Sequence, residues 1–214
     1  MEAKFSISEV CSTSWQRLKS QIWVLAGLMI GIVIISIIVN VCTAFAQGSI
    51  AGSIIANLIG VIVSSFLALG YIRNIFQALD GDEPQTSAYR QEAPKVITYF
   101  VANLLLGIIT VVGLVLFIIP GIYLLLRLQF ATAFIVEEDA GIMESLKRSW
   151  EITRGQEMPL FLLMLAMIGF LLLGLIVFVI GVFVTAPYVY MIYCYTFRKL
   201  NISLPIIEKE QPAE

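Results

Sequence analysis

Arg127 is the one charged residue deep inside a long apolar run, and an ionisable side chain in such surroundings is a functional candidate by default. Lys147, Arg148 and Arg154 form a basic cluster that could meet anionic headgroups. The Asp82-Glu83 and Glu137-Glu138-Asp139 runs offer hard oxygen ligands for a cation such as Mg²⁺, but helix capping and solvated charge account for both more simply. Histidine is absent, which removes the usual general base near neutral pH, the commonest metal ligand and the Ser-His and Cys-His dyads. The cysteines Cys11, Cys42 and Cys194 have no metal-ligand spacing and fall at different depths, so they read as packing residues. No phosphate-binding GxxxxGK loop, GxSxG elbow or HExxH pair is present. The expectation is a protein without catalytic residues, cofactor or metal.

The elements that position these side chains follow from solvent preference. With 59% hydrophobic and 13% charged residues among 214, and a mean hydropathy of +0.94, the chain has more apolar surface than one soluble core could hide. A bilayer core about 30 Å thick needs roughly 20 apolar residues per helical crossing. The spans predicted are 21–46, 50–72, 96–119, 121–136, 158–178 and 182–199, the last two divided by a turn near Val177–Val184. The run 121–136 is short, about 22 Å at 1.5 Å per residue. With six crossings, the loops at 47–49, 120–121 and near 180 contain no charge. Twelve of the 13 Lys and Arg residues flank the other ends, and only Arg127 does not. The positive-inside rule then puts both termini in the cytoplasm of a cell whose inner membrane holds the protein, with Trp15, Trp23 and Trp150 as interfacial anchors on that side. The first twenty residues lack a secretory signal, so the N-terminus is expected to be retained.

Two segments lie outside the spans. Ser6 and Glu9 form a capping box, after which Ile7, Val10, Cys11, Ser14 and Leu18 share one helical face, predicting an amphipathic helix over 6–19. Residues 141–154 predict another, with Ile142, Leu146, Trp150 and Thr153 on its apolar face. A shift of 135 residues, the distance from Ser14 to Ser149, superposes the two, matching Trp15 with Trp150, Glu9 with Glu144, Ile7 with Ile142 and Lys19 with Arg154. Each then enters a hairpin whose inner end carries a Tyr and an Arg, Tyr71 with Arg73 and Tyr195 with Arg198. This pattern points to a parallel internal duplication with the 96–136 hairpin inserted between the halves. The 73–95 loop and the tail 201–214 read as solvated connectors, so residues 1–200 form a single integral membrane domain.

Gly48, Gly52, Ala56 and Gly60 recur every four residues, and Gly27 with Gly31 forms a second small-residue pair. Such spacing lets helices approach closely in lipid, within the chain or across a homodimer. Arg127 lies about 9 Å below the outer end of its span, and its side chain leans outward, so it is expected to snorkel to the outer headgroups, or else to hold a lipid phosphate or an interior ligand. No Asp or Glu falls inside a span and no discontinuous helices are predicted at matching places in the two halves, which argues against a proton- or cation-coupled transporter.

Pro120-Gly121-Ile122-Tyr123-Leu124 through Arg127, Phe130-Ala131, Glu137-Glu138 and the run Glu144–Gly155 carry a resemblance, together with Phe5-Ser6-Ile7 to Trp15 and Pro187 to Leu200. The pattern resembles a widespread group of poorly characterised prokaryotic membrane proteins and is similar to the membrane domain that accompanies glycerophosphoryl diester phosphodiesterase in some bacteria. The resemblance implies six helices with cytoplasmic amphipathic segments. It does not carry phosphodiesterase activity, which belongs to a separate, histidine-dependent soluble domain. The reading is an all-α, polytopic transmembrane helical bundle of about six spans with two cytoplasmic amphipathic interfacial helices. Its expected role is non-enzymatic, organising lipids or partner proteins, the alternative being a transporter or lipid-translocating protein. Membrane lipids are the expected partners, a protein partner or second copy is allowed, and nucleic acid is not expected for want of a basic stripe.

Overall fold

A computed structural model describes residues 5–45, 49–176 and 181–202. Gly48, part of the turn expected near Val177–Val184 and the tail beyond Ile202 lie outside them. All regular structure in the described residues is helical: α1 (Ile7–Phe45), α2 (Ile50–Asp80), α3 (Ser87–Glu92), a 3₁₀ turn (Ala93–Lys95), α4 (Val96–Leu116), α5 (Ile118–Leu128), α6 (Ala131–Glu138), α7 (Ile142–Ile152), α8 (Glu157–Ile176) and α9 (Val182–Ile202). Local chemistry sets the boundaries. The Ser49 hydroxyl accepts the Gly52 N–H at 3.0 Å to start α2, and Gly81, at φ 93°, ends it. Gln21 leaves helical geometry (φ −131°, ψ 17°) and kinks α1 between the expected amphipathic segment and the expected span.

Among the described residues, five helical stretches are long and apolar enough to cross a membrane: Ile7–Phe45, Ile50–Asp80, Ser87–Leu116, Ile118–Glu138 and Glu157–Ile176. The chain is built as a multi-pass membrane protein. The sixth expected crossing, α9, has the length but is not among the five; it carries Tyr188, Tyr190, Tyr193, Tyr195, Arg198 and Lys199 and packs against α1, α2 and α8.

The packed core lies towards one end. Leu69, Ile75 and Phe76 of α2, nearly all of α6, and Met191, Ile192, Cys194 and Phe197 of α9 are buried together. The opposite ends of α1, α2, α4 and α8 expose Ile34, Ile38, Ile55, Val115 and Ile176. Phe197 centres the core, with ring centroids 4.8 Å from Phe134, 5.8 Å from Phe76 and 6.0 Å from Phe130.

Ion pairs tie the helices at this end. Arg198 binds Asp80 and Glu137, and Lys199 binds Glu9. Lys95 binds Asp139, and also Glu92 at 2.8 Å. Arg73 lies 3.6 Å from Glu92 and 3.8 Å from Glu137. Glu137, Glu138 and Asp139 therefore diverge to different basic partners instead of standing as solvated charge or converging on a cation.

The 73–95 segment departs from the expected solvated connector. Asn74 is buried, donating to the Gly70 carbonyl at 2.9 Å and accepting the Gln85 N–H at 2.7 Å. Ala88 and Glu92 are buried, and the Tyr89 ring occupies the space a side chain at Gly70 would need. Asn74 and Tyr89 thus hold the segment against α2.

The small-residue expectation divides. A Cβ on Gly60 would stand 3.7 Å from Val39, and Gly52 and Ala56 line an apolar groove of about 400 Å³ with Val39 and Cys42, so this row faces α1 within the chain. A Cβ on Gly27 or Gly31 would meet no atom within 4 Å, because their side of α1 faces away from the bundle. A tight helix approach lies elsewhere: a Cβ on Gly121 would meet Leu114 N at 2.6 Å, so α5 sits directly on α4.

Under the 135-residue shift, buried Phe5, Val10, Ser14, Leu18 and Leu25 fall on Ala140, Ser145, Ser149, Thr153 and Leu160, all buried. The kink residue Gln21 falls on Gln156, which lies between α7 and α8.

Candidate functional site

The residues of the 120–157 region meet around a break in the helix expected over 121–136. No proline or glycine causes it: α5 stops at Leu128 and α6 resumes at Ala131, with Phe130 at φ −89°, ψ 2°. The groups freed by the break find partners in α7 and α9. The Ser149 hydroxyl donates to the Arg127 carbonyl at 2.9 Å and accepts the Phe130 N–H at 3.1 Å. The Thr153 hydroxyl reaches the same carbonyl at 3.1 Å. The Tyr193 hydroxyl donates to the Gln129 carbonyl at 2.8 Å and lies 3.0 Å from the Thr132 hydroxyl. A discontinuous helix is thus present, in the inserted hairpin, and it is closed by side chains. Ser149→Ala would leave a buried N–H without an acceptor and cost about 1–3 kcal/mol, read as a lowered unfolding midpoint in detergent.

Arg127 does not reach the outer headgroups. Its side chain is 2% exposed, and Nη1 lies 3.1 Å from Glu157 Oε1, at the start of α8. The guanidinium stands 4.3 Å from the Trp150 ring centroid and 5.8 Å from that of Tyr123, one turn back along α5. The lean towards the helix N-terminus holds, but protein groups receive it. Glu157 also accepts the Gly155 N–H at 3.1 Å. Arg127 Nε is buried without a hydrogen-bond partner.

The other expected contact residues separate into two sets. Arg148 is held by Glu138, lies 3.7 Å from Glu144 and stacks 4.3 Å from the Phe134 ring. Lys147 and Arg154 are exposed, with no carboxylate within ion-pair distance among the described residues. Trp15 is packed edge-on by Tyr188 at 5.5 Å as Trp150 is by Tyr123 at 5.9 Å, and Trp23 is the most exposed of the three tryptophans. Ser149, Thr153 and Glu157 were not singled out from the sequence for these roles. The signal present there was two hydroxyls four residues apart on the inward face of α7.

A second groove, about 420 Å³, lies between α4 and α5 among Ile109, Val112, Phe117 and Leu124, away from every charged pair. Neither groove described places a nucleophile beside a base.

Known proteins of similar sequence have no assigned activity in their names. The chain is 28% identical over 148 residues to the uncharacterized protein Rv2560 of Mycobacterium tuberculosis and equally to the uncharacterized protein Mb2590 of Mycobacterium bovis, an overlap of 69% of this chain and 45% of either relative. The chain thus spans less than half the length of these relatives. No solved structure matches it. A family model described as a domain of unknown function, DUF7847, matches residues 91–209, which contain the helix break, Arg127, Glu157 and the ion-paired α6 and α9. Since that match takes in more than half of the sequence, the chain belongs to the DUF7847 family.

Proposed function

We propose that the chain is a non-enzymatic protein of the cytoplasmic membrane that crosses it six times, keeps both termini in the cytoplasm, and organises lipids or partner proteins from its charged end. The observation that carries this reading is the way its polar residues are used. Arg127, Ser149, Thr153, Glu137 and Glu138 bind other groups of the chain, which makes the charged end a braced platform. Lys147, Arg154 and the exposed parts of Trp15, Trp23 and Trp150 face outward, as contacts to an anionic headgroup layer would. The resemblance to the membrane domain accompanying glycerophosphoryl diester phosphodiesterase would then be one of scaffold, with no catalysis shared.

The test is native mass spectrometry of the protein released from bilayers of mixed phosphatidylglycerol and phosphatidylcholine. Preferential retention of phosphatidylglycerol is expected; retention in proportion to the mixture would sink the lipid-organising reading. The alternative, a lipid-translocating protein, is favoured by the helix break beside buried Arg127. Faster movement of a fluorescent anionic lipid across vesicles containing the protein, lost in Arg127→Ala, would promote it.

A further inference from the structure

The 135-residue register relates outward-facing side chains as well as buried ones. At the kink of α1, Trp15 is 37% exposed, Lys19 follows four residues later and is exposed, and Trp23, four further on, is 88% exposed. Between α7 and α8, Trp150 is 38% exposed, Arg154 is exposed, and Met158 is 67% exposed. Both triplets straddle the point where the backbone leaves helical geometry, at Gln21 in one half and around Gly155, φ 76°, in the other. Each therefore sits where the charged end gives way to an apolar helix.

We propose that these junctions are two separate binding sites for anionic phospholipid, one per half of the chain, with Lys19 and Arg154 as the phosphate contacts. The proposal rests on the lipid-organising reading and adds the number, place and residues of the sites. Position and charge together select these two cations: Arg17, Arg90 and Lys147 also lack a carboxylate within ion-pair distance among the described residues, but only Lys19 and Arg154 stand midway between two exposed apolar side chains at a junction. Arg73, Lys95, Arg127, Arg148, Arg198 and Lys199 each engage a carboxylate, whereas Lys19 and Arg154 have none within ion-pair distance among the described residues. A phosphate supplies the missing counter-charge, the Trp indole N–H a donor for ester oxygens, and Trp23 or Met158 an apolar surface for the first acyl methylenes. The sites correspond without being identical. Lys19 Nζ lies 5.5 Å from the centroid of its own Trp15 ring, while the Trp150 face is taken by Arg127, which leaves Arg154 free of it. Glu157, which neutralises Arg127, falls on Ile22 in the first half.

The experiment uses the full chain in vesicles of phosphatidylcholine with a minority of phosphatidylglycerol, one of the two brominated on its acyl chains near the headgroup. Trp150→Phe leaves only Trp15 and Trp23 to report by fluorescence quenching; the Trp15→Phe, Trp23→Phe double variant leaves only Trp150. Brominated phosphatidylglycerol should quench both chains more strongly than its mole fraction dictates. Lys19→Gln should lower that enrichment about fivefold in the first chain and leave the second unchanged, and Arg154→Gln the reverse. Both substitutions are at exposed positions, and an unchanged unfolding midpoint verifies the fold. Quenching in proportion to mole fraction at either junction overturns the two-site proposal, as does equal loss at both junctions from one substitution, which is the mark of a diffuse surface potential. If wild-type protein retains no excess phosphatidylglycerol in mass spectrometry, the broader reading fails as well; retention that survives both glutamine variants removes only the assignment to these junctions.

Discussion

Glu157→Ala is expected to destabilise the protein by about 3–5 kcal/mol, more than removal of the arginine it binds, because it strands a buried charge. Arg127 is 2% exposed, so without Glu157 its guanidinium keeps only the Trp150 and Tyr123 ring faces. Glu157 has a side chain 34% exposed and a second donor in the Gly155 N–H. In Arg127→Met, which roughly preserves volume, the carboxylate hydrates and the loss is smaller. The double variant Arg127→Met, Glu157→Gln should recover most of the Glu157→Ala deficit, since no unpaired charge is left. Denaturant or thermal unfolding in one detergent orders the three variants. A Glu157→Ala protein as stable as Arg127→Met would show that the pair does not neutralise a buried charge.

Phe197→Ala should cost a similar amount, about 3–5 kcal/mol, by opening a cavity where three helices meet. Its ring is fully buried against Phe134 of α6, Phe76 of α2 and Phe130 at the helix break. Val115→Ala, at a side chain 79% exposed on α4, should stay within about 0.5 kcal/mol of wild type. Comparing the two unfolding midpoints locates the stabilising core: equal effects would mean that the uncharged ends contribute as much as the charged one.

Much of the helical layout is legible from hydropathy, because a stretch without charge long enough to span a bilayer has few other uses. Of the face Ile7, Val10, Cys11, Ser14, Leu18 expected from period, Val10, Ser14 and Leu18 are fully buried and Ile7 and Cys11 partly so. The break after Leu128 is not legible, since its stabilising hydroxyls come from Ser149 and Thr153, distant in sequence, and no local residue disfavours helix there. Arg127 misleads for a related reason. Hydropathy and side-chain lean give its depth and direction, but not that the chain turns at Gly155 and brings Glu157 level with it. The 73–95 segment has a loop's composition, and only the packing of Tyr89 over Gly70 and the bonds of Asn74 show it to be docked.

The ion pairs of α9 also bear on biosynthesis. Lys199 closes on Glu9 across 190 residues of chain, and Arg198 on Asp80 across 118. Translation must therefore deliver α9 before Glu9 and Asp80 acquire these partners. Contacts of such wide sequence separation are expected to form late in folding, so α9 closes the charged end only after the earlier helices have packed.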